Sequence, residues 1–197
     1  MRSKCRLGVL VSGNGSNLQA ILDACQEDSY PAEVRIVVSN QPKAFALQRA
    51  QKRGIPTVVV PHRDYPSREL FEKEIASRLE AAQVELVVLA GFMRLLSPFF
   101  VRRFADRIFN IHPALLPSFP GTDAIRKAWD SGVKTTGVTV HFVDEGCDTG
   151  PIVLQEPVTI DPGETLQTLE EKIHKVEHRL YPEAIRLFAL GKLKEAR

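Results

Sequence analysis

Leu7-Gly8-Val9-Leu10-Val11-Ser12-Gly13-Asn14-Gly15-Ser16-Asn17-Leu18 opens the chain with an apolar run, a turn of small polar residues and the start of a helical repeat. The run Leu7–Val11 predicts a strand covered on both faces, because its side chains do not alternate between apolar and polar. Leu18, Ile21, Leu22 and Cys25 then fall at helical spacing. A strand, a glycine-rich turn and a helix in that order make the first unit of a parallel sheet with crossover helices.

The unit repeats outward from there. Val34–Val38, Thr57–Val60, Leu86–Ala90 and Arg107–Ile111 are further strand candidates. Between them, Phe71, Ile75, Leu79 and Ala82 keep helical spacing, and a helix over roughly 43–53 is closed by Gly54 with Pro56 beyond it. After Pro117 the pattern changes: Val138–Val143 and Ile152–Val158 flank the turn-rich loop Asp144–Pro151, which predicts an antiparallel addition to the sheet. A long helical segment from Glu164 to about Leu190, bent or interrupted near Pro182, closes the pattern. The expected fold class is α/β: a mostly parallel twisted sheet with flanking helices, a Rossmann-like amino-terminal half, an antiparallel strand addition and a long carboxyl-terminal helix. One domain over 1–197 is expected, with a phosphate-binding half over about 1–100 and a catalytic half over about 101–197.

Composition narrows the function classes. The 44% hydrophobic and 25% charged content suits a globular protein, and no segment approaches the roughly 18 apolar residues of a membrane span. The amino terminus carries no signal-peptide pattern, so a cytoplasmic location is expected. Cys5, Cys25 and Cys147 are too scattered for a zinc ribbon and suit free thiols. A net charge of +2 argues for small-molecule substrates over nucleic acid. A monomer or homodimer is expected.

The turn Ser12-Gly13-Asn14-Gly15-Ser16-Asn17 is a phosphate-site candidate, because small residues let backbone amides at a helix start approach an anion. Leu18 stands where a dinucleotide fingerprint needs glycine, and Ser39-Asn40 where the second strand would end in an acid, so NAD is not implied. No nucleotide P-loop pattern occurs, which argues against ATP. A turn that merely caps a helix is the competing reading.

Asn110-Ile111-His112-Pro113 ends the fifth strand candidate. Residues two apart on a strand project from one face, here at the carboxyl edge where open α/β sheets bind ligands. An asparagine amide and an imidazolium are donors suited to the tetrahedral oxyanion of acyl transfer. Asp148 is placed to favour the charged imidazole, although an aspartate in such a loop also reads as a simple turn former. Glu177 interrupts the apolar stripe Leu166, Leu169, Ile173, Val176 and Leu180, so its burial requires a ligand amine or a cationic partner. His174 and His178 lie on the stripe's flank without the glutamate of a zinc helix; a solvated face, and no metal, is expected there.

Four segments together carry a resemblance: Ser12–Asn17, Leu89–Pro98, Asn110–Pro117 and His141–Pro151. Over nearly its whole length the chain resembles the phosphoribosylglycinamide formyltransferases of the wider formyltransferase family. That resemblance implies 10-formyltetrahydrofolate as co-substrate and a catalytic set of Asn110, His112 and Asp148. It implies substrate phosphate on Gly15, Ser16 and Asn17, with Gly13 and Asn14 beside them, and glycinamide contacts from Pro113 and Glu177. Folate contacts are implied for Arg68, Met93, Arg94, Leu95, Leu96 and Asn110, with Val143 and the Asp144–Asp148 loop closing over them. Leu116-Pro117 resembles a cis peptide. The sequence departs from the family at Gly121-Thr122-Asp123-Ala124-Ile125, where relatives carry histidines, and this bears on local substrate contacts.

Three alternatives remain. A formylfolate deformylase has relatives with an additional amino-terminal domain, whereas the first strand here begins near residue 5. Methionyl-tRNA formyltransferases carry a basic carboxyl-terminal domain that this sequence lacks. A noncatalytic phosphate- or folate-binding module is the third. The compact ends favour a free-standing chain.

Overall fold

In the computed structural model, which describes residues 3–193, seven strands form one sheet in the order β3-β2-β1-β4-β5-β6-β7. The elements are β1 (Cys5–Val11), α1 (Ser16–Ala24), β2 (Ala32–Ser39), α2 (Phe45–Lys52), β3 (Thr57–Val59), α3 (Arg68–Ala81), β4 (Leu86–Leu89), α4 (Pro98–Arg103), β5 (Ile108–His112), α5 (Ala124–Asp130), β6 (Thr135–Phe142), β7 (Ile152–Thr159) and α6 (Leu166–Ala189), with a 3₁₀ turn at His62–Asp64. The pairings among β1 to β5 are parallel, whereas β5–β6 and β6–β7 are antiparallel. Each expected strand is present to within a few residues, and His112 proves to be the last residue of β5.

The sheet separates two apolar layers. Leu7, Val9 and Val11 of β1 pack with Leu18 and Ile21 of α1, Ala46 and Ala50 of α2, and Ile173, Tyr181 and Ile185 of α6. Leu10 faces the other way, into a cluster with Phe71, Ile75 and Leu79 of α3 and with Phe100 and Phe104 around α4. Burial on both faces explains why the strands read as continuous apolar runs. The chain leaves β1 toward β2 on one side and returns to β4 on the other, so the carboxyl ends of β1 and β4 form a switch point, where such sheets bind ligands.

Two expectations change. α6 is not interrupted at Pro182 but runs through it as one helix. A proline in a helix interior costs about 3 kcal/mol, and the packing around it offsets that. Tyr181, Ala184 and Ile185 are buried, the Tyr181 hydroxyl lies 2.9 Å from the Leu89 carbonyl and 3.0 Å from that of Phe109, and Tyr30 donates to the Pro182 carbonyl at 2.7 Å. The second change is the addition of two short helices, α4 and α5. Ser97 caps α4 by accepting from the Phe100 amide, with Pro98 in its first turn. Among the described residues no helix is long and apolar enough to cross a membrane.

Candidate active site

β5 sets the site. Asn110 and His112 share a face, and antiparallel pairing places His141 of β6 directly opposite Asn110. The β6–β7 connection then carries Asp148 back over both strands. That connection is tightly built: Asp144 accepts from the Gly146 amide at 3.0 Å and from the Thr149 hydroxyl at 2.8 Å, and Glu145 pairs with Arg102 at 2.7 Å. Gly150 passes so close to β6 that a Cβ there would lie 1.8 Å from the Phe142 carbonyl oxygen. Any larger residue must move the loop.

The sequence-predicted trio therefore meets in space. The two Asp148 oxygens lie 3.4 Å from Asn110 Nδ2 and 3.4 Å from His112 Nδ1, and the carboxylate accepts from the Gly121 amide at 2.8 Å. Burial opposes ionisation of this carboxyl. The hydrogen bond from His141, that from the Gly121 amide and the nearby charge of His112 outweigh it, lowering the pKa from 3.8 to about 2. His112 is 4% exposed, and both ring nitrogens face oxygen acceptors: Nδ1 faces Asp148, and Nε2 donates to the Phe119 carbonyl at 2.8 Å. A charged imidazolium is thus matched at both ends inside a buried site.

Sequence reasoning missed His141, which is buried. Its Nδ1 donates to the Phe142 carbonyl at 2.8 Å, and its Nε2 lies 3.2 Å from Asn110 Nδ2 and 3.6 Å from the Asp148 carboxylate. The side chain that orients the Asn110 amide thus lies across the ladder, and only the β5–β6 register could have revealed it. Phe119, Gly121 and Asp123, all at positive φ, place the segment that supplies the Phe119 carbonyl and Gly121 amide.

The turn between β1 and α1 has the form expected of an anion site. Gly15 sits at φ 78°, and a Cβ there would come within 2.5 Å of the Ala46 Cβ. Among the described residues, the amides of Asn14, Gly15, Ser16 and Asn17 donate to no backbone carbonyl, and they open α1. Asn14 is held by Arg49, whose Nη2 donates to its side chain at 2.9 Å. Asn17 donates to Glu177 at 3.2 Å, joining the turn to α6.

Glu177 is buried as its place in the stripe requires, and its partners are Asn17 and His174, the latter at 2.9 Å. The hydrogen bond to Glu177 raises the His174 pKa. Of the two histidines expected on a solvated face, His174 is exposed there and His178 is partly buried. Their rings stack at 6.3 Å, burial lowers the His178 pKa, and His178 Nε2 is buried without a partner, as is Asn17 Oδ1. Pro113 is half-buried directly after His112.

The segment implied for folate is apolar and open. Met93 is 75% and Leu95 65% exposed, while Arg68 and Arg94 are exposed beside them in sequence or at the head of α3. Leu96 and Val143 both pack against the α3–α4 cluster, so the segment and the start of the Asp148 loop meet over one apolar layer. Ser12 ties this segment to the anion turn: its amide donates to the Gly91 carbonyl at 3.0 Å, and its hydroxyl accepts from the Met93 amide at 2.8 Å.

Comparison with known proteins identifies the family. A sequence model described as formyl transferase matches residues 5–185. A curated trifunctional purine biosynthetic protein adenosine-3 from Drosophila pseudoobscura pseudoobscura is 47% identical over 96% of this chain, which spans only 14% of that relative's length. The phosphoribosylglycinamide formyltransferase of Bacillus subtilis is 42% identical over 92% of this chain and 93% of its own. A crystal structure of glycinamide ribonucleotide transformylase 1 from Symbiobacterium toebii superposes with a TM-score of 0.95 at 47% identity, covering 100% of this chain and 94% of that one.

Proposed function

The chain belongs to the formyl transferase family, and we propose that it transfers the formyl group of 10-formyltetrahydrofolate to the amine of 5'-phosphoribosylglycinamide. The products are 5'-phosphoribosyl-N-formylglycinamide and tetrahydrofolate, and the reaction is the formyl-transfer step of purine biosynthesis. The observation that carries this reading is the convergence of Asn110, His112 and Asp148 at the carboxyl edge of the sheet, beside an anion turn joined to Glu177.

Each residue has a chemical role in this account. Gly13 to Asn17 bind the phosphate through amides at the start of α1, and Pro113 and Glu177 hold the glycinamide portion. Arg68, Met93 to Leu96, Val143 and Asp144 receive the folate, with Asn110 reaching its formyl group. In this division residues 1–100 hold the phosphate and 101–197 supply the catalytic groups. The amine nitrogen attacks the formyl carbon, a C–N bond forms, and the carbonyl oxygen takes the negative charge. With one Asn110 N–H directed at His141 and Asp148, the second is available to that oxygen. His112 joins it by exchanging the Phe119 carbonyl for the oxyanion. As the bond to N10 of the folate breaks, the proton lost by the amine passes to N10, relayed by Asp148 through water. The reaction so written draws on no metal, ATP or nicotinamide.

Incubating the purified chain with 10-formyltetrahydrofolate, with and without glycinamide ribonucleotide, tests this. Tetrahydrofolate and formylated amine should accumulate together, and only when both substrates are present. Formate release that ignores the amine would favour a deformylase; binding of both substrates without product would favour a binding module.

A further inference from the structure

Outside the catalytic cluster, the second buried acid after Glu177 is Glu72 of α3, which is 1% exposed. No lysine, arginine or histidine pairs with it among the described residues; both its oxygens are spent on Ser97. The Ser97 amide donates to Oε1 at 2.9 Å, and the Ser97 hydroxyl donates to Oε2. A buried carboxyl satisfied only by one neighbouring residue fixes that residue closely, because any separation leaves a polar group bare in an apolar layer. Here the layer is that of Phe71, Ile75, Phe100 and Phe104.

What Ser97 terminates gives the contact its meaning. It ends the irregular stretch that carries the exposed Met93 and Leu95, and it caps α4. The front of that stretch is held by Ser12 through the Met93 amide. Its back is held by Glu72. Arg68 lies four residues earlier on α3, one helical turn from Glu72 on the same side of the helix. The same carboxyl therefore sets the spacing between Arg68 and the Met93–Leu96 stretch, the two sides of the folate-binding surface under the reading above, on which this inference rests.

We propose that Glu72 is a positioning residue for the folate co-substrate: its carboxyl, gripping Ser97, holds the Met93–Leu96 stretch in register with Arg68. It touches neither substrate. Its loss weakens folate binding while leaving phosphate binding and the chemical step in place.

The test compares wild type with Ser97→Ala, Glu72→Leu and Glu72→Gln, measuring the Kd of tetrahydrofolate and of glycinamide ribonucleotide by calorimetry, the KM of each substrate, kcat, and the thermal midpoint. Ser97→Ala removes one donor without emptying the layer, and should raise the tetrahydrofolate Kd and the folate KM by about tenfold, with the ribonucleotide values and kcat within about twofold. Glu72→Leu, if it folds, should exceed that effect. Glu72→Gln, whose amide can still accept from the Ser97 amide and donate to its hydroxyl, should restore most of the affinity. An unchanged folate Kd in folded Ser97→Ala, or equal losses for both substrates, overturns the proposal while wild-type turnover keeps the proposed reaction standing. A wild-type chain that binds no tetrahydrofolate would instead defeat the reaction itself, and this inference with it.

Discussion

His141 stands opposite Asn110 across the β5–β6 ladder, its Nε2 3.2 Å from the amide nitrogen, and so fixes which end of that amide faces Asp148 and the reaction space. The contact lets the strand register set the orientation of the Asn110 amide. His141→Ala removes this partner and frees the amide to turn its oxygen toward the oxyanion. Turnover should fall about 10- to 100-fold with little change in either KM. Steady-state kinetics on the folded variant decide it, and a variant within twofold of wild type would remove His141 from the account.

Asp148 makes the acid stability of the fold measurable. Its folded pKa of about 2 lies below the ordinary 3.8, so the stabilisation it supplies is complete above pH 4 and disappears as pH falls through 2. The sign is that of a depressed carboxylate, and the amount is about 2 kcal/mol. Asp148→Asn cannot titrate, so the gap between its denaturation midpoint and that of wild type should narrow between pH 4 and 2. A gap that stays constant over that window would contradict the assignment.

Gly150 carries the loop past β6 with no room for a side chain. Gly150→Ala must shift the backbone that delivers Asp148. Activity should drop by at least about 100-fold, and stability by about 1–3 kcal/mol, as read by kinetics and urea denaturation. Wild-type activity in that variant would show that Asp148 need not be held where it lies.

Gly15 tests the anion turn separately. Alanine there would be strained at φ 78° and would meet Ala46, so the amides at the head of α1 would be displaced. The KM for the phosphorylated amine should rise about 10-fold or more, with the folate KM little changed. Equal changes in both would mean that the turn serves the fold and not the phosphate.

Much of this architecture is local and was therefore legible. Strands covered on both faces leave continuous Val, Ile and Leu runs, and the small residues of Ser12–Asn17 mark the turn that opens α1. Asn110 and His112 declared a shared face through spacing alone. What could not be read came from distant pairing. His141 reaches Asn110 only through the antiparallel register, Tyr181 reaches the ends of β4 and β5 from α6, and Glu72 reaches Ser97 between two helices. At Pro182 the interruption, one of the two outcomes expected, does not occur: the local cost of a proline is fixed, whereas the burial of Tyr181, Ala184 and Ile185 that offsets it depends on the whole sheet.

The central claim is that His112, held between Asp148 and the Phe119 carbonyl, acts on the transition state and not on ground-state binding. Single-turnover formyl transfer by His112→Ala, with both substrate dissociation constants measured on the same preparation, tests it most directly. The rate constant should fall by about 10³-fold or more while both dissociation constants remain within about threefold of wild type. A rate constant equal to that of the wild type, or a loss explained wholly by weaker substrate binding, would contradict it.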